Sequence, residues 1–186
     1  MPVRPTAWAE ISRARSDRAI GPNSKRDAKR EDVYGAWLEV AKTCDFIGVQ
    51  NYGRQRLDDK GPQPPPPGAE LTQMGEEFFP ASLQGAVRYA HAATGKPVLV
   101  TENGIATTDD TRRAAYIPLA VAGVQRALTD GVPVIGYIHW SLLDNFEWIF
   151  GYAPKYGLAE VDHTTFKRTL KPSAHVLGEI ARRNGV

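Results

Sequence analysis

Hydrophobic positions along the chain follow two alternating periods, one typical of strands and one typical of helices. Short apolar runs rich in β-branched residues predict strands at 45–52, 96–101 and 132–140. Apolar positions three or four residues apart predict helices at 31–43, 80–94, 110–130 and 172–183. The stripe of helix 110–130 predicted to face inward is Ile117, Ala120, Val121, Val124 and Leu128. Because strands alternate with helices, the sequence predicts an α/β fold of right-handed β/α units around a parallel sheet.

Two breaks organise this pattern. The proline-rich segment 61–68 (GPQPPPPG) predicts a loop, since it can form neither a helix nor a central strand. Residues 1–30 hold eight Lys or Arg against three acidic residues, a net charge of +5 in a chain whose total is +2. With Trp8 as its only aromatic residue, this segment is interpreted as a solvated or poorly ordered basic leader rather than an arm that binds polyanions.

Composition excludes several classes of function. The small net charge gives no pull toward nucleic acid, and no stretch approaches the roughly 18 apolar residues of a membrane span. The N-terminus has no apolar signal segment, and the single cysteine, Cys44, cannot form an internal disulfide. The expectation is therefore a cytoplasmic protein that binds neither nucleic acid nor membrane. The four histidines lack metal-ligand spacing, so neither a metal nor another cofactor is expected.

Polar residues gather at the C-terminal ends of the three predicted strands. Asn51, Tyr52 and Arg54 follow the first strand, and Glu102 with Asn103 follows the second. The residues that follow the third are Trp140, Asp144, Asn145, Glu147 and Trp148. Catalytic groups of parallel α/β folds cluster at this end of the sheet.

Glu102 directly follows a buried apolar run, where a carboxylate needs donors or a paired charge. Locally this pattern is equally compatible with a functional carboxylate and with a surface residue beside a tight Asn103-Gly104 turn. The loop after the third strand favours function. It places two tryptophans beside two acids, an arrangement that suits a sugar, whose C–H face stacks on indole while its hydroxyls donate to carboxylates.

These motifs resemble the C-terminal region of glycoside hydrolase family 1, the β-glucosidases. The similar segments are TENG at 101–104, HWSLLDNFEW and GYAPKYGLAEVD within 139–162, DFIGVQNYGR at 45–54 and MGEEFFPASL at 74–83. The resemblance covers residues 31–186, interpreted as one domain, the C-terminal part of a glycosidase barrel. At 186 residues the chain is short for a closed (β/α)8 TIM barrel of about 250 residues. The fold implied is a partial barrel, roughly its last three β/α units.

The resemblance implies a retaining β-glycosidase acting on O-glycosidic bonds. Glu102 would be the catalytic nucleophile, and Tyr52 would hydrogen-bond it and keep it ionised. Trp140 would form the platform under the glycone, the sugar unit transferred to the enzyme, while Glu147 and Trp148 would bind its hydroxyls. Family members specific for 6-phosphosugars carry serine at the Glu147-Trp148 site. The expected substrate is therefore a non-phosphorylated β-glucoside or a related β-glycoside.

The sequence also departs from the family pattern. Gln50 and Asn51 replace the usual Asn-Tyr before Tyr52, and Glu76 stands in place of a tryptophan. The family's acid/base glutamate lies in an Asn-Glu-Pro motif, which this sequence does not contain. A matching N-terminal barrel half or a second copy of the chain is the expected partner, and the isolated chain is expected to be a severely impaired hydrolase. The alternative is a truncated, non-catalytic remnant that binds sugar or a partner barrel half.

Overall fold

The computed structural model describes the backbone of residues 10–13 and, in full, residues 25–58 and 60–186. Its strands are β1 (Glu10–Arg13), β2 (Ile47–Asn51), β3 (Arg54–Asp58), β4 (Gly61–Gln63), β5 (Val98–Asn103), β6 (Val134–Tyr137), β7 (Ala159–Val161) and β8 (Arg168–Leu170). Its α-helices are α1 (Lys25–Arg30), α2 (Ala36–Ala41), α3 (Ser82–Thr94), α4 (Asp110–Thr129) and α5 (Pro172–Arg183). None of the described helices is long and apolar enough to cross a membrane.

The sheet that positions the candidate site consists of three parallel strands in the order β2-β5-β6. Val49 pairs with Val100, and Val100 pairs with Tyr137. The register shifts between Val49 and Gln50, so that Gln50 lies opposite Glu102 and Asn51 opposite Asn103. Because the strands are parallel, their C-terminal ends meet at one edge, as the sequence predicts.

The core lies between this sheet and helices α3 and α4. Val49, Val98 and Val100 are fully buried on the strands, as an interior parallel strand requires. Leu83 and Val87 of α3 pack against them in the same cluster. Helix α4 begins at the Asp109 cap, whose carboxylate accepts from Thr111 N at 3.0 Å.

The predicted helices and strands exist, with corrections in detail. Leu128 is exposed, so its placement on the inward stripe of α4 is wrong, whereas the other four members of that stripe are buried. The residue of this turn that faces the core is Ala127, one position earlier, which is fully buried. On the first predicted helix the residues at helical spacing, Val33, Trp37 and Val40, are exposed, and Leu38 enters the core instead.

The predicted basic leader overlaps regular structure where it is described. Glu10–Arg13 pairs in parallel with β3, and Lys25–Arg30 is helical. The helix continues through a π-helical turn at Glu31–Gly35 into α2, so it begins six residues before the predicted start. The other residues of the predicted leader lie outside the described part of the chain.

Two small sheets were not predicted. β3 pairs antiparallel with the edge strand β4, which includes Pro62 of the predicted proline-rich loop. An edge strand tolerates proline, because its outer N–H groups need no partner within the sheet. β7 and β8 form an antiparallel pair after the loop that follows β6.

Candidate active site

Glu102, near the C-terminal end of β5, accepts one hydrogen bond on each carboxylate oxygen. The phenol of Tyr52 donates to Oε2 in a short hydrogen bond. The side-chain amide of Gln50 donates to Oε1 at 2.7 Å. Both donors come from the end of the neighbouring strand β2, two residues apart and therefore on one side of the chain. Hydrogen bonds to a carboxylate favour its ionised form, which is the form able to act as a nucleophile.

The alternative that Glu102 is a surface residue beside a tight turn is wrong. Asn103 and Gly104 are buried, and Glu102 is half-buried. The Asn103 amide nitrogen donates to Asn51 O at 2.7 Å and to the Tyr116 hydroxyl at 2.9 Å, while its oxygen accepts from Tyr137 at 3.0 Å. Asn103 therefore ties the end of β5 to β2, to α4 and to β6.

Burial, followed by the hydrogen bond to Glu102 and its negative charge, raises the pKa of Tyr52 far above the ordinary phenol range. The Tyr52 hydroxyl therefore stays protonated and remains a donor to Glu102. The ring of Tyr52 meets that of Tyr156 edge to face, with centroids 5.7 Å apart. Tyr156 is buried, so this contact helps to hold the Tyr52 ring in place.

Glu147 lies close enough to Glu102 for the two charges to interact. Its loop is held by hydrogen bonds from Glu147 N to Gly151 O at 2.7 Å and from Phe150 N to Glu147 O at 2.9 Å. Burial and then the negative charge of Glu102 raise the pKa of Glu147. Among the described residues, none donates a hydrogen bond to the Glu147 carboxylate. Its oxygens are therefore available to hydroxyl donors of a ligand.

The two tryptophans of the predicted site differ in their surroundings. Trp140 is half-buried. Its backbone N–H donates to Asn103 O at 2.9 Å, which places Trp140 beside the end of the strand that carries Glu102. The peptide bond between Trp140 and Ser141 is cis. Trp148 is 82% exposed and opens a 3-10 turn, Trp148–Phe150, beside Glu147. Tyr52, Glu102 and Glu147 are thus brought together, with Trp140 next to them and Trp148 at the rim.

Other polar residues at the strand ends have structural partners instead. Asp144 is buried and accepts from Lys171 Nζ at 2.8 and 2.9 Å and from Gly157 N at 2.8 Å. Arg54 forms a bidentate pair with Glu77, both bonds at 2.8 Å. These pairs anchor the loops that carry the site.

Sequence reasoning missed the contacts of Gln50 and Asn51. It placed Asn51 among the polar residues after the first strand but treated Gln50 only as a departure from a family pattern. Asn51 is fully buried, accepts from Ser82 Oγ at 2.7 Å and donates to Gly53 O at 3.0 Å. It therefore fixes the turn that follows Tyr52. The signal for Gln50 was its spacing of two residues from Tyr52, which places both side chains on one face of a strand. The third departure, Glu76, lines an open cleft of about 300 Å³ with Arg54 and Arg56.

A buried polar network lies behind the site. His139 Nδ1 is 3.1 Å from the Tyr137 hydroxyl, which in turn donates to Asn103. Burial, followed by the positive charge of Arg113, lowers the pKa of His139 to about 3. The imidazole of His139 is therefore neutral at pH 7 and adds no charge behind the site. In the described part of the chain, no group of three His, Cys, Asp or Glu side chains is placed to hold a metal ion.

Comparison with known proteins identifies relatives of this arrangement. Residues 38–186 match the family model of glycosyl hydrolase family 1. The chain is 43% identical over 115 residues to a β-galactosidase of Sulfolobus acidocaldarius, covering 62% of this chain and 23% of the relative. It is 32% identical to β-glucosidase A of Thermotoga maritima, covering 80% of this chain and 36% of the relative.

A solved apo structure of a β-glucosidase superposes with a TM-score of 0.86 at 47% identity, covering 98% of this chain and 44% of that one. This similarity confirms the predicted fold class, a partial (β/α)8 TIM barrel, here an open arrangement of β/α units. The chain thus spans less than half the length of each of these three proteins.

Proposed function

Because this chain belongs to glycosyl hydrolase family 1, we propose that it supplies the nucleophile and the glycone-binding side of a retaining β-glycosidase. The observation that carries the proposal is the Glu102 carboxylate, held by Tyr52 and Gln50 at the edge of an apolar sheet. The substrates are non-phosphorylated β-glucosides or related β-glycosides. The relatives are named β-galactosidase and β-glucosidase, which supports this class.

The nucleophile of the first chemical step lies within this chain, whereas the proton for the leaving oxygen must come from another group. A Glu102 oxygen attacks the anomeric carbon, the glycosidic C–O bond breaks, and its electron pair leaves with the aglycone oxygen. Glu102 becomes a neutral glycosyl ester. Tyr52 stays protonated, so it orients the carboxylate without competing for the proton that the leaving oxygen needs.

Glycone binding falls to Trp140, Glu147 and Trp148. The Glu147 carboxylate accepts from sugar hydroxyls, and the two indoles supply apolar faces for the C–H face of the ring. A negative Glu147 repels a phosphate on the glycone, which disfavours 6-phosphoglycosides. The exposure of Trp148 fits an indole that becomes covered when substrate and the rest of the barrel are in place.

Both steps also need a second carboxyl group roughly 5–5.5 Å from the nucleophile, which protonates the leaving oxygen in the first step and activates water in the second. The sequence holds no Asn-Glu-Pro motif to supply it. General acid catalysis contributes roughly 10²–10⁴-fold. The isolated chain is therefore a poor catalyst for glycosides with an unactivated leaving group.

The partner proposed to supply this carboxyl is the N-terminal half of a barrel. Ile135 and Ile138, in and just after strand β6, are exposed although parallel strands of such sheets are ordinarily covered. The exposed Trp37 adds an apolar surface on helix α2. A complementing half would cover such faces and pair with the open edges of the sheet. A second copy of the chain would cover them without adding an acid/base.

The test mixes this chain with the N-terminal half of the 47%-identical β-glucosidase and measures hydrolysis of an aryl β-glucoside. We expect a co-eluting complex that releases the β-anomer first, observed by proton NMR before mutarotation. Glu102→Gln should abolish the reaction, whereas the exposed control Glu160→Gln should not. Release of the α-anomer would contradict retention. A folded complex without turnover would favour a non-catalytic remnant that binds its partner half.

A further inference from the structure

Gln50 contacts the Glu102 carboxylate directly, although neither the motifs of the sequence nor the proposed mechanism gives Gln50 a role. Its side chain reaches across from β2, and Nε2 lies 2.7 Å from Glu102 Oε1. Gln50 is buried, so this contact is shielded from solvent. The shift in strand register between Val49 and Gln50 brings Gln50 directly opposite Glu102. A regular register would place the pair one residue out of step.

The chemistry of the two groups fixes the direction of the hydrogen bond. An ionised carboxylate has no proton to give, so only the amide nitrogen of Gln50 can face Oε1 favourably. The other carboxylate oxygen already accepts from Tyr52. Both oxygens of the Glu102 carboxylate therefore accept hydrogen bonds, one from Gln50 and one from Tyr52. The carboxylate is left with little freedom to rotate.

We propose that Gln50 is a second positioning residue for the nucleophile, holding the Glu102 carboxylate in its attacking orientation and stabilising its charge when the glycosyl ester breaks. This inference rests on the proposed function of Glu102. In the ester Glu102 is neutral, and the bond from Gln50 is an ordinary one. When an incoming nucleophile attacks the anomeric carbon, the electron pair of the ester C–O bond returns to Glu102. The bond from Gln50 then becomes charge-assisted and stronger.

The energetic signature separates this role from simple packing. Removing the donor should slow breakdown of the glycosyl ester more than its formation, because charge develops on Glu102 during breakdown and disappears during formation. A charge-assisted hydrogen bond accounts for about tenfold or more in rate. Loss of packing alone would change both rates through the folded fraction.

The first measurement needs no activity. The side-chain amide NMR resonances of Gln50 should move with pH as Glu102 titrates in the wild-type chain and should stop moving in Glu102→Gln. The amide of Gln55, exposed on β3, is the control and should not follow this titration. A Gln50 amide that is insensitive to pH in the wild type would overturn the contact.

The second measurement uses the ester formed with 2,4-dinitrophenyl 2-deoxy-2-fluoro-β-glucoside and its release by azide, both followed by intact mass. Azide attacks the anomeric carbon without a general base, so release requires only that Glu102 depart. We expect Gln50→Met and Gln50→Glu to slow release about tenfold or more and to slow labelling less, with Gln55→Met unchanged. Release at the wild-type rate in both Gln50 variants would overturn the proposal. Failure to label even the wild-type chain would count against the proposed function instead, and the amide titration would still decide whether Gln50 binds Glu102.

Discussion

The Tyr52 phenol donates to Glu102 Oε2 across two neighbouring parallel strands, although the residues are 50 positions apart in sequence. The contact exists because both strands end at the same edge of the sheet. Burial is the larger cause of the raised pKa of Tyr52, and this hydrogen bond to Glu102 is the next.

Tyr52→Phe should slow azide-driven release of the fluoroglucosyl group from Glu102 roughly ten- to a hundredfold, and labelling less, because it removes a hydrogen bond to the returning carboxylate charge worth about 1.5–3 kcal/mol. The matched control is Tyr152→Phe, a tyrosine on the exposed loop after β6. Release rates of the two variants that agree within a factor of two would remove Tyr52 from the site.

Glu102→Gln should lower the pKa of Glu147 toward its ordinary value, because the negative charge of Glu102 helps to raise it. Burial, the larger cause, persists in the variant, so the pKa should remain above the ordinary range. Carbon-13 titration of the Glu147 carboxyl measures the change, with Glu160→Gln as the control. An unchanged Glu147 titration would show that the two carboxylates do not face one another.

The sequence was sufficient to predict the three strands of the central sheet, helices α2 to α5 and the edge where Tyr52, Glu102 and Glu147 meet, because strand and helix periods and the parallel topology determine these. It wrongly placed Leu128 on the inward face of α4, because that face ends at Ala127, one residue earlier. The sequence also did not predict the pairing of β7 with β8, which lie at the two ends of residues 159–170. These two strands are three residues each and carry no periodic signal.

The site was predicted only where a residue type suggested its chemistry. Asp144 was grouped with Glu147 because both are acids after the same strand. Its pairing with Lys171, 27 residues away, depends on tertiary structure. The role inferred for Gln50 similarly depends on a shift in strand register, which the sequence pattern does not predict.

Gly104→Ala should destabilise the fold, because an added Cβ would lie 2.0 Å from the carbonyl oxygen of Trp140, which belongs to rigid backbone. Relief requires the ends of β5 and β6 to move apart, at a cost of at least about 1–3 kcal/mol in the free energy of unfolding. Urea denaturation measures this.

The control for that substitution is Gly178→Ala in α5, where the nearest atoms to an added Cβ belong to the flexible Arg182 side chain at 3.7 Å. Replacing this helical glycine by alanine should raise the free energy of unfolding by about 1 kcal/mol. Equal stability of the Gly104→Ala variant and the wild type would contradict the close approach of the two strands.

Stability should fall at acidic pH in part because of His139. Its pKa is about 3 in the folded chain, against 6.5 ordinarily, so the unfolded chain takes up the proton first. This contribution is present in full above pH 6.5 and is lost as pH falls from there toward 3. The free energy of unfolding of the wild type should therefore decline more steeply over this interval than that of His139→Gln. Parallel curves for the two proteins would show that His139 is not buried in its neutral form.

Covalent labelling decides whether Glu102 is the nucleophile. The folded 186-residue chain is incubated with 2,4-dinitrophenyl 2-deoxy-2-fluoro-β-glucoside, whose leaving group departs without a general acid. Intact mass followed by peptide mapping should show one fluoroglucosyl group on Glu102, absent in Glu102→Gln and retained in Glu160→Gln. A label on another carboxylate such as Glu147, or no label on a chain shown by circular dichroism to be folded, would show that Glu102 is not the nucleophile.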